Sequence, residues 1–206
     1  MDSNKSSPRG ARRAVEPTRR PGRERVAALL EAASAVFAER GYEAATMTEI
    51  AARAGALVGS LYHFFPNKEA VGEALLARFA GEIDAAFDAV DARAASTSAA
   101  DLADALFDLM LGLRDESKAL AVVMEGRPEW SSKWREFVDA TLRRIAGTLA
   151  LRAPRLAPES ARSLAVVLLQ NMKAYKALAD DEPGAAAELR AMTRLYLVSR
   201  LDVPHA

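Results

Sequence analysis

Between Thr46 and Lys68 the chain reads TMTEIAARAGALVGSLYHFFPNK, and its polar groups are of a kind that grip and read a surface. Thr48, Ser60 and Tyr62 carry hydroxyls, His63 an imidazole and Lys68 an ammonium. Hydroxyl and ammonium groups suit phosphate oxygens, and a serine can also exchange a hydrogen bond with a base edge. Leu57 and Val58 offer only methyl groups, suited to a thymine methyl, while Gly59 lets backbone come close to a partner. His63 admits two readings, a contact residue or a solvated imidazole. For Tyr62 the alternative is a half-buried ring packed on the first helix, the one that ends at Arg40.

Bond-making chemistry has little to work with. The two histidines, His63 and His205, lie far apart in the chain, so no His-based triad or multi-histidine metal site is expected. There is no cysteine, which excludes disulfides and thiolate metal sites and fits a reducing compartment. The carboxylate pair Asp180 and Asp181 stands beside Pro183, where a solvated turn is the ordinary explanation. No phosphate-cradling glycine loop occurs. The expectation is a protein that is not an enzyme and holds no cofactor or metal.

Caps and periodicity define the elements that must position these groups. Thr46 and Glu49 have the capping-box spacing, which predicts a helix starting at Met47. Ile50, Ala51 and Ala54 give it one apolar stripe, and Gly55 suits the left-handed position that closes a helix, so it ends near Ala54. A second short helix is expected over 58–64, stopped by Pro66, which disfavours helical geometry at Phe65. Leu61 and Phe65, four apart, face inward. Two short helices meeting at a glycine-containing turn make a helix-turn-helix, whose second helix enters the major groove of DNA.

The residues around this motif narrow the reading. GSLYHFFPNKEA, from Gly59 to Ala70, together with ALLEAASAVFAERGYEAATMTEIAARAG upstream, resembles the signature of the TetR family of bacterial transcriptional regulators. Phe37, Gly41, Tyr42, Thr46, Thr48, Ile50, Ala51, Gly55, Gly59, Leu61, Tyr62, Phe65, Pro66 and Lys68 stand in that family's order and spacing, and the remainder agrees in helical pattern and length. The resemblance implies an all-α fold, with an N-terminal helix-turn-helix DNA-binding domain followed by a C-terminal helical ligand-binding and dimerisation domain. It implies a repressor, working as a homodimer on a double-stranded DNA operator and released by a small apolar or amphipathic effector. Thr48, Leu57, Val58, Gly59, Ser60, Tyr62, His63 and Lys68 are the implied DNA-contacting positions. Two positions depart from the family pattern. Relatives commonly have a small polar cap where Leu57 stands and a polar ring where Phe64 stands. A helical adaptor with a degraded DNA-binding head is the alternative those departures leave open.

Charge is unevenly placed, although Lys plus Arg and Asp plus Glu balance at 28 each. Residues 1–25 carry eight basic and three acidic side chains, a net +5, so the rest carries −5. Proline, serine and glycine in this stretch predict a disordered basic arm over 1–22, either lying along phosphates or serving as a solubilising tail. The DNA-binding domain is expected over 23–70 and the ligand and dimerisation domain over 71–206.

After the arm the helical period dominates. Val26, Leu29, Leu30, Ala33, Val36 and Phe37 share one face of a first helix ending at Arg40. Asn67 caps a long helix running to about Arg93, and further helices are expected over 102–114, 118–125, 129–151, 158–179 and 184–201. No stretch approaches the ~20 unbroken apolar residues of a membrane helix, and a cytoplasmic location is expected. The run Val166 to Leu169 is apolar around its circumference, so it needs neighbours on both sides. In the family the chain resembles, the last two helices of each subunit pair into a four-helix interface, so the resemblance implies Leu164, Leu168, Tyr175, Leu195 and Tyr196 as dimer positions, a monomeric bundle being the alternative. Phe107, Trp134, Phe137 and Tyr175 are the expected effector-lining residues, with Glu125, Arg127 and Asn171 available to orient a ligand. The alternative for each large side chain is ordinary core.

Overall fold

The structure, a computed structural model, describes residue 14 and residues 20–113, 120, 121, 123, 124 and 130–202. Eight helices have both ends within the described residues. They are α1 (Arg20–Arg40), α2 (Met47–Arg53), α3 (Val58–Phe64), α4 (Lys68–Ala94), α5 (Ala99–Gly112), α6 (Ser131–Arg152), α7 (Pro158–Asp181) and α8 (Pro183–Leu201). No strand occurs among the described residues, as the all-α expectation requires.

Two compact units emerge. One holds the chain up to Ala77 with Ala119–Val123, the other Arg78–Lys118 with Met124–Ala206, and α4 contributes to both. The expected boundary between residues 70 and 71 lies, like the division between Ala77 and Arg78, inside the continuous helix α4.

In the first unit, Leu29, Ala33 and Phe37 of α1 are fully buried with Ile50 and Ala51 of α2, Leu61 of α3 and Val71 of α4. Gly41, at φ 78°, turns the chain out of α1, and the Phe37 and Tyr42 rings meet at 5.0 Å. Helix α1 starts earlier than the basic-arm expectation allowed, so residues 20–22 are helical. Pro21 is tolerated in a first turn whose amides lack partners anyway, and Arg20 Nε reaches Glu24 Oε1 at 2.8 Å one turn on. The rest of the arm lies outside the described residues, apart from Ala14.

Helix α2 carries the expected capping box. The Thr46 hydroxyl accepts from the Glu49 amide at 3.2 Å, and a Glu49 carboxylate oxygen accepts from the Thr46 amide at 2.9 Å. Gly55, at φ 61°, turns the chain out of α2, and α3 spans the expected seven residues before Phe65 turns extended ahead of Pro66. The Asn67 side chain accepts from the Ala70 amide at 2.7 Å and starts α4.

The second unit is a helical bundle in which α7 packs against α5, α6 and α8, and α5 packs against α8. Helices α4 and α6 run parallel: Phe79 meets Phe137, Arg144 meets Asp88, and Thr148 meets Asp91, so both chains advance together. Arg144 also lies 3.6 Å from Asp84 and 3.2 Å from Asp91, so three carboxylates on one face of α4 converge on one guanidinium. On the opposite pairing, Arg190 of α8 reaches Asp104 at 2.6 Å and Asp108 at 2.9 Å on α5, and Arg194 also pairs with Asp104.

Two local expectations need correction. Helix α5 begins at Ala99, three residues before the expected start at 102, because the Ser98 hydroxyl accepts from the Asp101 amide at 3.1 Å and caps the turn. Asp180 and Asp181 belong to the last turn of α7, since Pro183 opens α8 and only Glu182 separates the two helices. Residues 114–119 and 125–129, including the Glu125 and Arg127 proposed as ligand-orienting groups, lie outside the described residues.

The capping box generates a testable outcome. Thr46→Ala removes the acceptor for the Glu49 amide and should cost α2 about 1 kcal/mol, read as roughly fivefold faster amide exchange in its first turn. The hydrogen bonds from the Thr46 side chain and backbone hold the Glu49 carboxyl below its usual value. This contribution is therefore complete at neutral pH and disappears as pH falls through the folded value. Acidification should lower the protection of the same amides in the native protein, each rate being referred to the intrinsic exchange rate at that pH, and change it far less in Thr46→Ala.

Candidate nucleic-acid interface

The residues of α3 divide by helical phase. Leu61 is fully buried and Phe65 nearly so, fixing the inner side. Leu57, Gly59, Tyr62 and His63 are exposed, with Val58, Ser60 and Phe64 intermediate, so most of the expected reading positions share the outer side. Thr48, in the first turn of α2, is exposed as well. The Tyr62 side chain is half exposed.

Leu57 occupies the N-cap of α3 in extended geometry, makes no side-chain capping bond and is 82% exposed. The missing polar cap read from the sequence is therefore a structural fact, and the side chain is left facing outward. A Cβ at Gly59 would meet nothing within 4 Å, so the open surface there continues onto the backbone. His63 stacks edge-on to Phe64 at 4.9 Å, which steadies the imidazole on the outer side.

Lys68 departs from expectation. Its Nζ donates to three backbone carbonyls, Tyr42 at 2.6 Å, Glu43 at 3.0 Å and Ala45 at 2.9 Å, and lies 4.6 Å from the centre of the Tyr42 ring. The ammonium expected on a phosphate is satisfied inside the protein. The sequence concealed this because the acceptors are main-chain oxygens that every residue possesses.

The expected effector residues fall into two groups. Trp134 stacks on Phe137 at 5.2 Å, and Phe137 meets Phe79 of α4 at 5.7 Å, forming an aromatic trio in which both α6 members remain partly exposed. Phe107 is 1% exposed and packs on the Tyr175 ring at 4.7 Å, so it is core, immobilised where α5 meets α7. Tyr175 turns its hydroxyl toward Arg190 at 3.4 Å. Asn171 donates to Thr193 at 3.1 Å, tying α7 to α8. Sequence reasoning missed the state of Trp130. It is buried, yet its indole Nε1 has no hydrogen-bond partner among the described residues.

The expected dimer positions separate similarly. Leu164 and Leu168 are 2% and 1% exposed, buried with Ala165, Leu169 and Met172 on the inner face of α7, so they are core of the chain itself. Outward-facing apolar side chains stand between them in sequence on α7, Val166 and Val167, and others lie on α8, Met192, Leu195 and Tyr196. Helical phase could have found the α7 pair, since 164, 165, 168, 169 and 172 trace one face and leave 166 and 167 on another.

Comparison with known proteins follows this division. A profile described as bacterial regulatory proteins, tetR family, matches residues 29–75. The transcriptional repressor KstR2 of Mycobacterium tuberculosis is 49% identical over 67 residues, 32% of this chain and 34% of that protein. The aligned part thus spans about a third of that relative's length. The regulator EthR of Mycolicibacterium smegmatis is 27% identical over 96% of this chain and 94% of its own. Among solved structures, a putative TetR-family regulator from Mesorhizobium loti superposes with a TM-score of 0.68 at 19% identity, covering 88% of this chain and 98% of that one. FadR of Bacillus subtilis, solved in complex with stearoyl-CoA, gives 0.63 at 19% identity over 84% and 97%. The capped α2, the glycine turn and the exposed outer side of α3 thus lie within the segment, residues 29–75, that matches the tetR-family profile, and the chain as a whole shares the fold of these regulators.

Proposed function

We propose that the protein is a dimeric DNA-binding repressor that leaves its operator when an apolar or amphipathic small molecule binds its second unit. One observation carries the reading: the seven-residue α3 buries Leu61 and presents Leu57, Gly59, Tyr62 and His63 outward from a capped, glycine-closed motif. That arrangement suits a recognition helix, with Thr48 and Tyr62 on phosphates and Leu57, Val58 and Ser60 on base edges. The repressor name borne by the KstR2 relatives supports the same direction of control.

Dimerisation is the natural use of the apolar side chains on α7 and α8. An exposed patch of Val166, Val167, Met192, Leu195 and Tyr196 is costly to leave in water, and a second copy offers the same patch in return. Two heads would also read two half-sites, giving a specificity that one short helix cannot reach. Effector binding is supported by the Phe79, Phe137 and Trp134 trio and by the buried indole of Trp130, whose Nε1 has no hydrogen-bond partner among the described residues. A buried donor without an acceptor costs about 1–3 kcal/mol, which a ligand oxygen would offset. The fatty acyl-CoA held by the FadR neighbour is a reasonable first probe of this class.

Selection of bound fragments from a genomic library should enrich a palindrome with half-sites one helical turn or a multiple apart. Replacing the contacted thymines by deoxyuridine should weaken native binding about three- to fivefold per methyl, as expected for loss of ~0.8 kcal/mol, and Leu57→Ser should be less sensitive to the change, the remaining dependence falling to Val58. Absence of any enriched palindrome would point instead to a protein-binding adaptor.

Light scattering should give twice the 22.1 kDa of one chain, and Val167→Glu with Leu195→Glu should return it to a folded single chain. Leu168→Glu should unfold the second unit instead.

Titration with stearoyl-CoA and related amphiphiles, read by tryptophan fluorescence, should identify binders through Trp130 and Trp134. A binder that acts as effector should lower operator affinity about 5- to 150-fold. Trp134→Ala should weaken that binder while leaving effector-free DNA affinity near native. A binder that changes fluorescence without changing DNA affinity would sever the coupling.

A further inference from the structure

We propose that Lys68 is a positioning residue that fixes the helix-turn-helix to the start of α4, and that it makes no phosphate contact of its own. The proposal rests on the DNA-binding reading above. An ammonium has three hydrogens and no lone pair, and Lys68 Nζ has three carbonyl oxygens within 3.0 Å. Bonds of this charge-assisted kind are stronger than neutral ones. A phosphate at the same nitrogen would displace a carbonyl in a part-buried site and leave that oxygen without its donor.

The location of the three acceptors gives the contact its role. Tyr42, Glu43 and Ala45 form the connection between α1 and α2, and the next residue, Thr46, is the N-cap of α2. Gly41 directs the chain into this connection, and the Tyr42 ring lies against the same ammonium. One side chain from the first residue of α4 thus gathers the main chain leading directly into the capping box. The other end of α2 is tied to α1, where Arg53 pairs with Glu39 through both guanidinium nitrogens. Ile50 and Ala51 are buried beneath. Seven residues held at both ends have no freedom to reorient separately from their anchors. Since α4 is one unbroken helix from Lys68 to Ala94, a shift of its first turn carries the 42–46 connection and the start of α2 with it.

The test uses two variants of the full chain. Lys68→Met keeps length and loses charge. Lys68→Arg keeps charge, but its planar fork cannot bring three donors to the point where the carbonyls converge. Amide exchange at 45–49 is read beside affinity for the selected genomic duplex at several salt concentrations. We expect both variants to speed exchange at 45–49 at least about tenfold while amides of α7 keep their native rates. Both should also weaken duplex binding by a similar factor at every salt concentration, leaving the log–log slope native.

A phosphate ligand would behave differently. Lys68→Met would then flatten the slope by about 0.9, Lys68→Arg would retain slope and affinity, and exchange at 45–49 would stay native. That pattern overturns the proposal. Should the native protein bind no duplex, the regulator reading fails separately, and native exchange at 45–49 in Lys68→Met would overturn the positioning role. If Lys68→Met loses its helical circular dichroism altogether, Lys68→Arg decides by the same exchange criterion.

Discussion

A helix of seven residues cannot hold its own shape in water, and the two helices proposed to meet DNA are both that short. Their form is therefore supplied from outside. Ile50, Ala51 and Leu61 give up all exposure to the core built by α1 and α4, which fixes which sides of α2 and α3 remain outward. The ends are fixed by polar contacts: the capping box at Thr46, the left-handed Gly55 between the helices, the Arg53 to Glu39 pair, and the carbonyl cradle around Lys68. Each acts at a terminus, where short helices have the largest share of unsatisfied backbone groups.

The second unit solves a different problem, keeping long helices in register. Its answer is the same twice over. Asp84, Asp88 and Asp91 lie along one face of α4 opposite Arg144, and Asp104 and Asp108, one turn apart on α5, lie opposite Arg190. Both arginines keep about a third or less of their side-chain exposure. Partly solvated pairs like these add modest stability, yet their spacing penalises sliding of one helix along the other by a turn. The apolar layers beneath, Phe87 and Ile145 for one and Leu102 and Phe107 for the other, supply the greater part of the attraction.

Exposure separates residues that composition treats alike. Leu57 is 82% exposed and Leu61, one turn later, is fully buried. Val166 and Val167 face outward while Leu164, Ala165 and Leu168 face inward on the same helix. Isolated apolar side chains on a surface are ordinary, but their concentration at the start of α3 and on the outer sides of α7 and α8 marks the two surfaces proposed to meet partners.

Much of the head was determined by sequence alone, because its signals are local. Thr46 and Glu49 are three residues apart, Gly55 sits where the backbone must turn left-handed, and Pro66 acts on its immediate neighbour, so α2 and α3 were bounded correctly from residue types. The all-helical pattern of the remainder followed from periodicity in the same way. Tertiary structure decided whatever depends on distant partners. Lys68 finds its acceptors 23 to 26 residues away on main-chain oxygens, which carry no sequence signature. Leu164 and Leu168 became core, and Phe107 lost its access to solvent, because neighbouring helices covered those faces and left others bare. A local signal survives in the sequence because the interacting atoms are near neighbours along the chain. Which face of a helix is covered is settled only when the helices meet.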